Sequence, residues 1–348
     1  RPDPREMDML LSTGERMSCA LCAMAINDLG HRAISLTGSQ AGIVTDTSHT
    51  KARILDVRAD RIREALGKQL VVLVAGFQGV STTRDVTTLG RGGSDTTAVA
   101  LAAMLGADAC ELYTDVSGVF TADPRIVQKA RRMPTVSFDE MLEMTAAGCP
   151  KPVMRSVEFA RRHGVPLHVR SSFTWEPGTW VRHEDASMEQ AVVTSVTQDT
   201  TEAKVTVVGV PDQPGIAARL FRSLAVEDVN VDMIVQNTSE HGVTDISFTV
   251  PKEDLAVALS SCRAHAEEIG ATDVVADAGI AKVSIVGAGM RSAPGVTAMM
   301  FEVLAAAGIN IEMISTSAIR LTCVVREDRV EEAVSLVHDA FELERPVA

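Results

Sequence analysis

Residues 89 to 97 read LGRGGSDTT, a glycine-rich run with an arginine, a serine and an aspartate just ahead of the apolar stretch AVALAAMLGA. Gly90, Gly92 and Gly93 let the backbone approach an anionic group closely, and Ser94 or Asp95 is expected to cap the helix that follows. Such a helix start offers backbone N–H groups to a phosphate or a carboxylate. Further on, YTDVSGVFTADPR places Thr114 and Asp115 at a strand end, turns at Gly118, and forms a polar corner from Asp123, Pro124 and Arg125. In an open α/β sheet both segments fall outside the carboxyl ends of strands, where ligands bind. A glycine turn before a helix is common, so the pairing of the two segments carries the inference.

The elements that must position these segments alternate between strand and helix. HRAISLTGSQAGIVTD reads as strand and turn, ARILDVRADRIREALG as strand into helix, and QLVVLVAGFQGV as one buried strand. Helix DTTAVALAAMLGA, strand ACELYTDVSGVF, helices SFDEMLEMTAAG and RSVEFARRHG, and strand VPLHVRSS follow. This predicts an α/β domain with a mainly parallel sheet over residues 1–172. Periodicity stops in FTWEPGTWVRHEDASMEQ, residues 173–190, which is expected to be a linker.

Beyond the linker the chain repeats itself. KVTVVGVPDQPGIAARLFRSLAVEDVNVDMI from Lys204 matches KVSIVGAGMRSAPGVTAMMFEVLAAAGINIEMI from Lys282, with Pro214/Pro294 and Asn230/Asn310 offset by 80 residues. Each copy is expected to be a βαββαβ module, the first over 191–276 and the second over 277–348. A Pro-Gly pair opening a helix leaves N–H groups for a carboxylate, while Asp212, Asn230 and Gln236 could take an ammonium or hydroxyl. Only the first loop, DQPG, carries an acid. A free amino acid is therefore expected to sit on the first module and be closed over by the second, against the alternative that both are inert dimerisation modules.

Composition removes other classes. The 348 residues are 46% hydrophobic and 23% charged, enough for two or three domains with substantial cores. A net charge of −13 and 3% aromatics leave neither basic patch nor stacking platform, so nucleic acid is not an expected partner. The longest apolar run, LVVLVAGF, is too short to span a bilayer, and no charged-then-apolar leader stands out; no membrane partner and a cytoplasmic location are expected. Six scattered cysteines suit free, reduced thiols. Cys19 and Cys22 form a CxxC, but they lie at helical spacing in ERMSCALCAMAINDLG with no second ligand pair, so core packing is expected and no metal site.

With both segments and the repeat in hand, the chain resembles the aspartate kinase family along essentially its whole length. GERMS, LTGSQAG (where the family has FTGSQAG), AGFQG, TTLGRGGSDTTA, TDVSGVFTADPR, VRSS and ISTS occur in family order. The resemblance implies a three-layer α/β amino-acid-kinase domain with a mainly parallel sheet, then two ferredoxin-like ACT domains. It further implies ATP with Mg2+ as cofactors and phosphoryl transfer to the side-chain carboxylate of L-aspartate, the first step toward lysine, threonine and methionine.

By that pattern Arg91 pairs with the substrate α-carboxylate, Glu15 holds the α-ammonium, and Gly92, Gly93 and Ser94 complete the pocket. Asp95 orients the site or a magnesium-bridged phosphate, and Thr114, Asp115, Phe120, Arg125 and Lys151 take nucleotide-binding positions. Threonine, lysine or both are the implied effectors. Asp212, Gly215, Ala217, Asn230, Asp232 and Gln236 would contribute from the first module, and Thr297, Asn310 and Ile311 from the second. A homo-oligomer through the ACT domains is implied, with a shorter regulatory chain as a further partner; Met188 resembles the internal start of such a chain.

Three departures qualify the match. The chain opens at RPDPREMDMLLSTGER, without the KFGGTS segment whose lysine neutralises the transferring group, so the chain by itself is expected not to turn over. That leaves a catalytically inactive, amino-acid-sensing chain paired with an intact kinase as the alternative. Pro150 stands at the usual nucleotide lysine, with Lys151 one residue later, and Phe120 replaces a tyrosine.

Overall fold

The computed structural model describes residues 2–183, 192–237 and 242–345; Met188 and the rest of 184–191 lie outside them. The chain divides into two compact units, one of residues 1–119, 132–145 and 150–188, the other of 120–131, 146–149 and 189–348.

In the N-terminal unit Asp3 caps α1 (Pro4–Leu11) by accepting from the N–H groups of Arg5 and Glu6, and α2 (Thr13–Asp28) follows. Next come β1 (Ala33–Leu36), β2 (Ile43–Thr45), β3 (Ile54–Val57), α3 (Asp60–Gly67), β4 (Val71–Val74), β5 (Gln78–Ser81) and β6 (Val86–Thr88). The unit ends with α4 (Gly93–Leu105), β7 (Cys110–Thr114), β8 (Thr135–Ser137), α5 (Phe138–Ala146), α6 (Met154–His163), β9 (Leu167–Ser171) and β10 (Thr179–Arg182). Parallel pairs β1–β4, β2–β5, β7–β9 and β8–β10 are joined by antiparallel β2–β3, β5–β6 and β9–β10, giving a mixed α/β domain.

Three expectations are corrected here. QLVVLVAGFQGV is two strands, β4 and β5, in different sheets, because Phe77 sits at φ 68° and is held there by its N–H bond to Thr97 Oγ1 at 3.1 Å. The first residue of β4, Val71, is 46% exposed, so the run is not wholly buried. The predicted linker contains β10, too short to show a period, whose Trp180 stacks on His168 at 4.0 Å. The Thr179 hydroxyl, accepting from the Val119 N–H at 2.8 Å and donating to the Met133 carbonyl at 2.6 Å, fixes β10 to the chain around Gly118. Cys19 is half-buried and Cys22 exposed rather than in a core, since α2 packs on β1 and β4 by one face while Met17, Leu21 and Met24 stay exposed.

The C-terminal unit runs β11 (Ser195–Asp199), β12 (Glu202–Pro211), α7 (Ile216–Val226), β13 (Ile234–Gln236), β14 (Val243–Pro251), α8 (Leu255–Ile269), β15 (Asp273–Asp277), β16 (Ile280–Val286), α9 (Val296–Ala306), β17 (Met313–Thr316), β18 (Arg320–Arg326) and α10 (Val330–Ala340). Two antiparallel sheets result, β13-β14-β12-β15 and β11-β16-β18-β17. The first repeat is βαββαβ. The second ends on its helix, and β11 lies against β16 as β15 lies against β12, so its missing strand comes from upstream of the first repeat. Val205, Leu220, Leu224 and Phe248 anchor the first core; Val196 of β11, Ile285, Met300, Leu304 and Val334 anchor the second. Ala122 and Val127, from residues 120–131, are buried in that second core.

Val196 is 1% exposed at the centre of the borrowed strand. Val196→Asp is expected to cost about 3 kcal/mol, the scale of an unpaired buried charge in a core. Amide exchange should quicken in β16 and β18 while β12 and β14 stay protected; equal loss in both sheets would show one cooperative block instead.

Candidate active site and effector face

Helix α4 starts at Gly92, left-handed at φ 72°, with no side-chain cap. The expected cap by Ser94 or Asp95 is therefore corrected: glycine takes the junction, and both residues fall inside the first turn. The Gly93 N–H donates to the Gly90 carbonyl at 3.0 Å and the Thr96 N–H to the Gly92 carbonyl at 3.3 Å. Between them the N–H groups of Ser94 and Asp95 have no partner within the helix. Added to Gly92, a Cβ would stand 2.3 Å from Val153 Cγ2, and on Gly93 2.8 Å from Leu89 Cβ, so the packing admits only glycine at these two places.

Around this turn the chain gathers charge. Arg91 is exposed at the loop tip, Ser94 is exposed, and Lys151 Nζ lies 3.8 Å from Asp95 Oδ2. Lys151 thus reaches the α4 turn although one residue late, while Val153, two residues on, packs on Gly92. Thr114, ending β7, donates from its hydroxyl to Asp115 at 2.9 Å, and Asp115 is exposed. Phe120 and Arg125 belong to the C-terminal unit, where the Arg125 guanidinium is paired with Asp123 at 2.6 Å and holds that carboxyl below its usual range.

Several residues that sequence reasoning passed over hold the loop. Arg155 donates to the carbonyls of Leu89 at 3.1 Å and Ala52 at 3.0 Å. Gln78 donates to the Ser12 carbonyl and accepts from Arg16 Nε, both at 2.8 Å, pinning to β5 the turn of α2 that carries half-buried Glu15. Asp8, fully buried, accepts from Thr88 Oγ1 at 2.5 Å and from the Thr50 N–H at 3.1 Å, and meets His49 Nδ1 at 2.7 Å. Asp8 and Gln78 are polar residues among apolar neighbours, a weak mark of a buried anchor, whereas Arg155 stands in a polar helix and carries no such mark.

The second unit repeats the same device. Helices α7 and α9 start at left-handed Gly215 (φ 95°) and Gly295 (φ 100°), again without side-chain caps, which leaves the Ala217 and Thr297 N–H groups in open first turns. Asp212, Asn230, Gln236, Thr297 and Asn310 are exposed and Ile311 is half-buried. Among the described residues no three His, Cys, Asp or Glu side chains cluster as a metal site.

Residues 2–171 match the amino acid kinase family, and residues 205–265 and 283–341 each match the ACT domain. The chain is 57% identical over 347 residues to the aspartokinase of Mycolicibacterium smegmatis, covering 98% of this chain and 82% of that protein. The chain belongs to the aspartokinase family. E. coli aspartokinase III, solved with aspartate and ADP in its R-state, shares its fold at a TM-score of 0.84 and 27% identity, over 97% of this chain and 76% of that one. Solved with lysine and aspartate in the T-state, the same E. coli enzyme gives 0.73 at the same identity and coverage.

In this aspartokinase the two ACT modules are tied by reciprocal ion pairs. Lys204 and Lys282 open the two repeats, while Asp232 and Glu312 lie two residues after the matched asparagines. Lys204 of the first module pairs with Glu312 of the second, and Lys282 of the second with Asp232 of the first at 2.5 Å. Glu202 adds a further contact to Lys282 at 2.7 Å. Met233 and Met313, again equivalent, meet in an apolar cluster with Ile280 and Val324. Asp232 therefore sits on the module seam, already bound to an ammonium group.

The Lys282 side chain is 3% exposed and that of Lys204 22%. Lys282→Met is expected to cost on the order of 3 kcal/mol by leaving two carboxylates behind, and Lys204→Met distinctly less. Urea unfolding of the two variants measures this; equal costs would show both pairs to be solvated.

Proposed function

We propose that this aspartokinase transfers the γ-phosphoryl group of ATP to the side-chain carboxylate of L-aspartate, giving 4-phospho-L-aspartate and ADP, at the head of lysine, threonine and methionine synthesis. The observation that carries the reading is the uncapped α4 turn, with the open N–H groups of Ser94 and Asp95, exposed Arg91 and the Lys151–Asp95 pair. A carboxylate is already a nucleophile. One of its oxygens bonds to the γ-phosphorus as the bond to the β,γ-bridging oxygen breaks, so the protein's task is to bring two anions together and neutralise them.

Arg91 suits the α-carboxylate through its planar fork, and Glu15 the α-ammonium. Ser94 offers an open backbone donor to the pocket, and Gly92 and Gly93 leave room for the substrate to approach it. Lys151, with Thr114, Asp115, Phe120 and Arg125, serves the nucleotide. Magnesium, carried in on the phosphates, supplies further neutralisation, and Asp95 is the carboxylate at the turn that fits it. The aspartate and ADP of the E. coli enzyme support this assignment.

We take the domains as kinase 1–172, extended by β10 from the expected linker 173–190, and ACT modules 191–276 and 277–348, with β11 given over to the second sheet. Threonine, lysine or both act as effectors on the first module's Asp212, Gly215, Ala217, Asn230 and Gln236, closed over by Thr297, Asn310 and Ile311, with Asp232 kept in its pair with Lys282 on the seam. Lysine in the T-state E. coli enzyme supports that class of ligand. Ile234 and Ile314, exposed on the edge strands β13 and β17, suit a homo-oligomer or a shorter regulatory chain. No helix among the described residues is long and apolar enough to cross a membrane, which is compatible with work in the cytoplasm.

Two outcomes are expected. In a chain that also carries an upstream KFGGTS segment, Arg91→Ala should raise the KM for aspartate roughly 30-fold, about 2 kcal/mol, with ATP KM little changed, measured by trapping the acyl phosphate with hydroxylamine; an unchanged aspartate KM removes Arg91 from the pocket. Calorimetric titration with threonine, alone and with lysine, should show binding that Asp212→Ala abolishes. Equal binding by that variant would move the effector elsewhere.

A further inference from the structure

We infer that His338, on α10 of the second ACT module, is a positioning residue for the nucleotide corner at Phe120–Arg125, acting through Thr121. The inference rests on the proposed nucleotide role of Phe120 and Arg125. Thr121 follows Phe120 directly and is fully buried with every polar group in use. Its N–H donates to the Arg131 carbonyl at 2.8 Å and its carbonyl accepts from Val196 of β11 at 2.7 Å. The hydroxyl accepts from the Arg131 N–H at 2.9 Å and meets His338 Nε2 at 3.0 Å.

His338 is also fully buried, 217 residues away in sequence, and its Nδ1 has no hydrogen-bond partner. The imidazole therefore makes one bond, to the residue that roots the corner. Ala122 and Val127 share the hydrophobic cluster of Val334 and Val337, the apolar neighbours of His338 on α10. From Thr121 the path continues to Asp123, two residues on. Its carboxylate accepts from the Arg125 N–H at 2.9 Å and from the guanidinium, and its carbonyl accepts from Ile126 and Val127. Gln198 of β11 reaches the same carboxylate at 3.5 Å. Arg125 is thus aimed by a turn whose base is bonded to a regulatory helix.

Charge on the imidazole would disturb this link. A neutral ring serves Thr121 as donor or acceptor; a protonated ring only donates, to a hydroxyl that already accepts from Arg131, and adds an Nδ1–H with no acceptor in reach. The ionisable groups facing it are Asp339, whose carboxylate is 4.0 Å from Nδ1, and Glu344, Lys129 and Arg131. Burial outweighs the two acids and holds the histidine below its ordinary 6.5, so the neutral form prevails at neutral pH.

The test is calorimetric binding of MgATP and, separately, of aspartate to the full chain and its variants, with thermal unfolding as a control for folding. His338→Leu and Thr121→Val should each weaken MgATP about fivefold, the worth of one hydrogen bond, and leave aspartate within about twofold. The double variant should be no weaker than either single one, and His338→Gln, which keeps a polar group near Nε2, should restore affinity. As pH falls below 6.5, MgATP affinity should drop more for the wild type than for His338→Gln. Unchanged MgATP affinity in the folded variants, additive losses, or equal losses for aspartate would overturn the role of His338. If His338→Leu does not fold, Thr121→Val against Thr121→Ser decides on the same readout. Absence of any MgATP binding by the wild-type chain would instead overturn the nucleotide reading and this proposal with it.

Discussion

An α-helix must leave its first N–H groups unbonded by its own carbonyls, and this chain leaves three such starts open. Gly92, Gly215 and Gly295 occupy the N-cap positions of α4, α7 and α9 in left-handed conformations, and none of the three helices carries a side-chain cap. Helices α2, α3, α6, α8 and α10 also lack a side-chain cap but none of them begins at a left-handed glycine, whereas Asp3 caps α1. A serine or aspartate at N-cap would have consumed the donors that a left-handed glycine leaves for a ligand. The same left-handed glycine start is thus used once in the kinase domain and twice in the repeat.

Around each open start the surrounding structure has to be rigid, because unpaired donors hold nothing in place. At α4 that rigidity comes from buried polar groups: Arg155 on the Leu89 carbonyl, Gln78 on the α2 turn, Asp8 on Thr50 and Thr88. Between the ACT modules it comes from crossed lysine–carboxylate pairs around Met233 and Met313. The repeat makes this economical, since equivalent positions of the two modules supply both pairs.

Much of this was legible in the residues. Strand–helix alternation, the glycine loop, the strand end at Thr114 and the duplicated module all show in spacing, because spacing is what local geometry imposes. The remainder depends on contacts between distant positions, which leave no period. Thr179–Arg182 is too short to alternate visibly, and its pairing partners are supplied from elsewhere in the chain. QLVVLVAGFQGV looked like one strand because Phe77, an ordinary core residue by type, is the one that turns. Asp232 looked like an open effector ligand, and only its pairing with Lys282 shows the carboxylate engaged. Ser94 and Asp95 have the right chemistry for a cap and were displaced by Gly92, two and three positions earlier, where Val153 packs too close for any Cβ.

The borrowed strand β11 also sets an order of assembly. It leaves the ribosome before the first ACT module, yet its partner β16 is made only after that module is finished. The first module can close as a local insert, while β11 and residues 120–131 wait for partners on β16 and α10, made after it. Strand β16 and helix α10 then act as a clasp, sealing segments synthesised before them. A separate chain begun near Met188 would still contain β11, and with it every strand of both sheets, but would have to find residues 120–131 on another molecule.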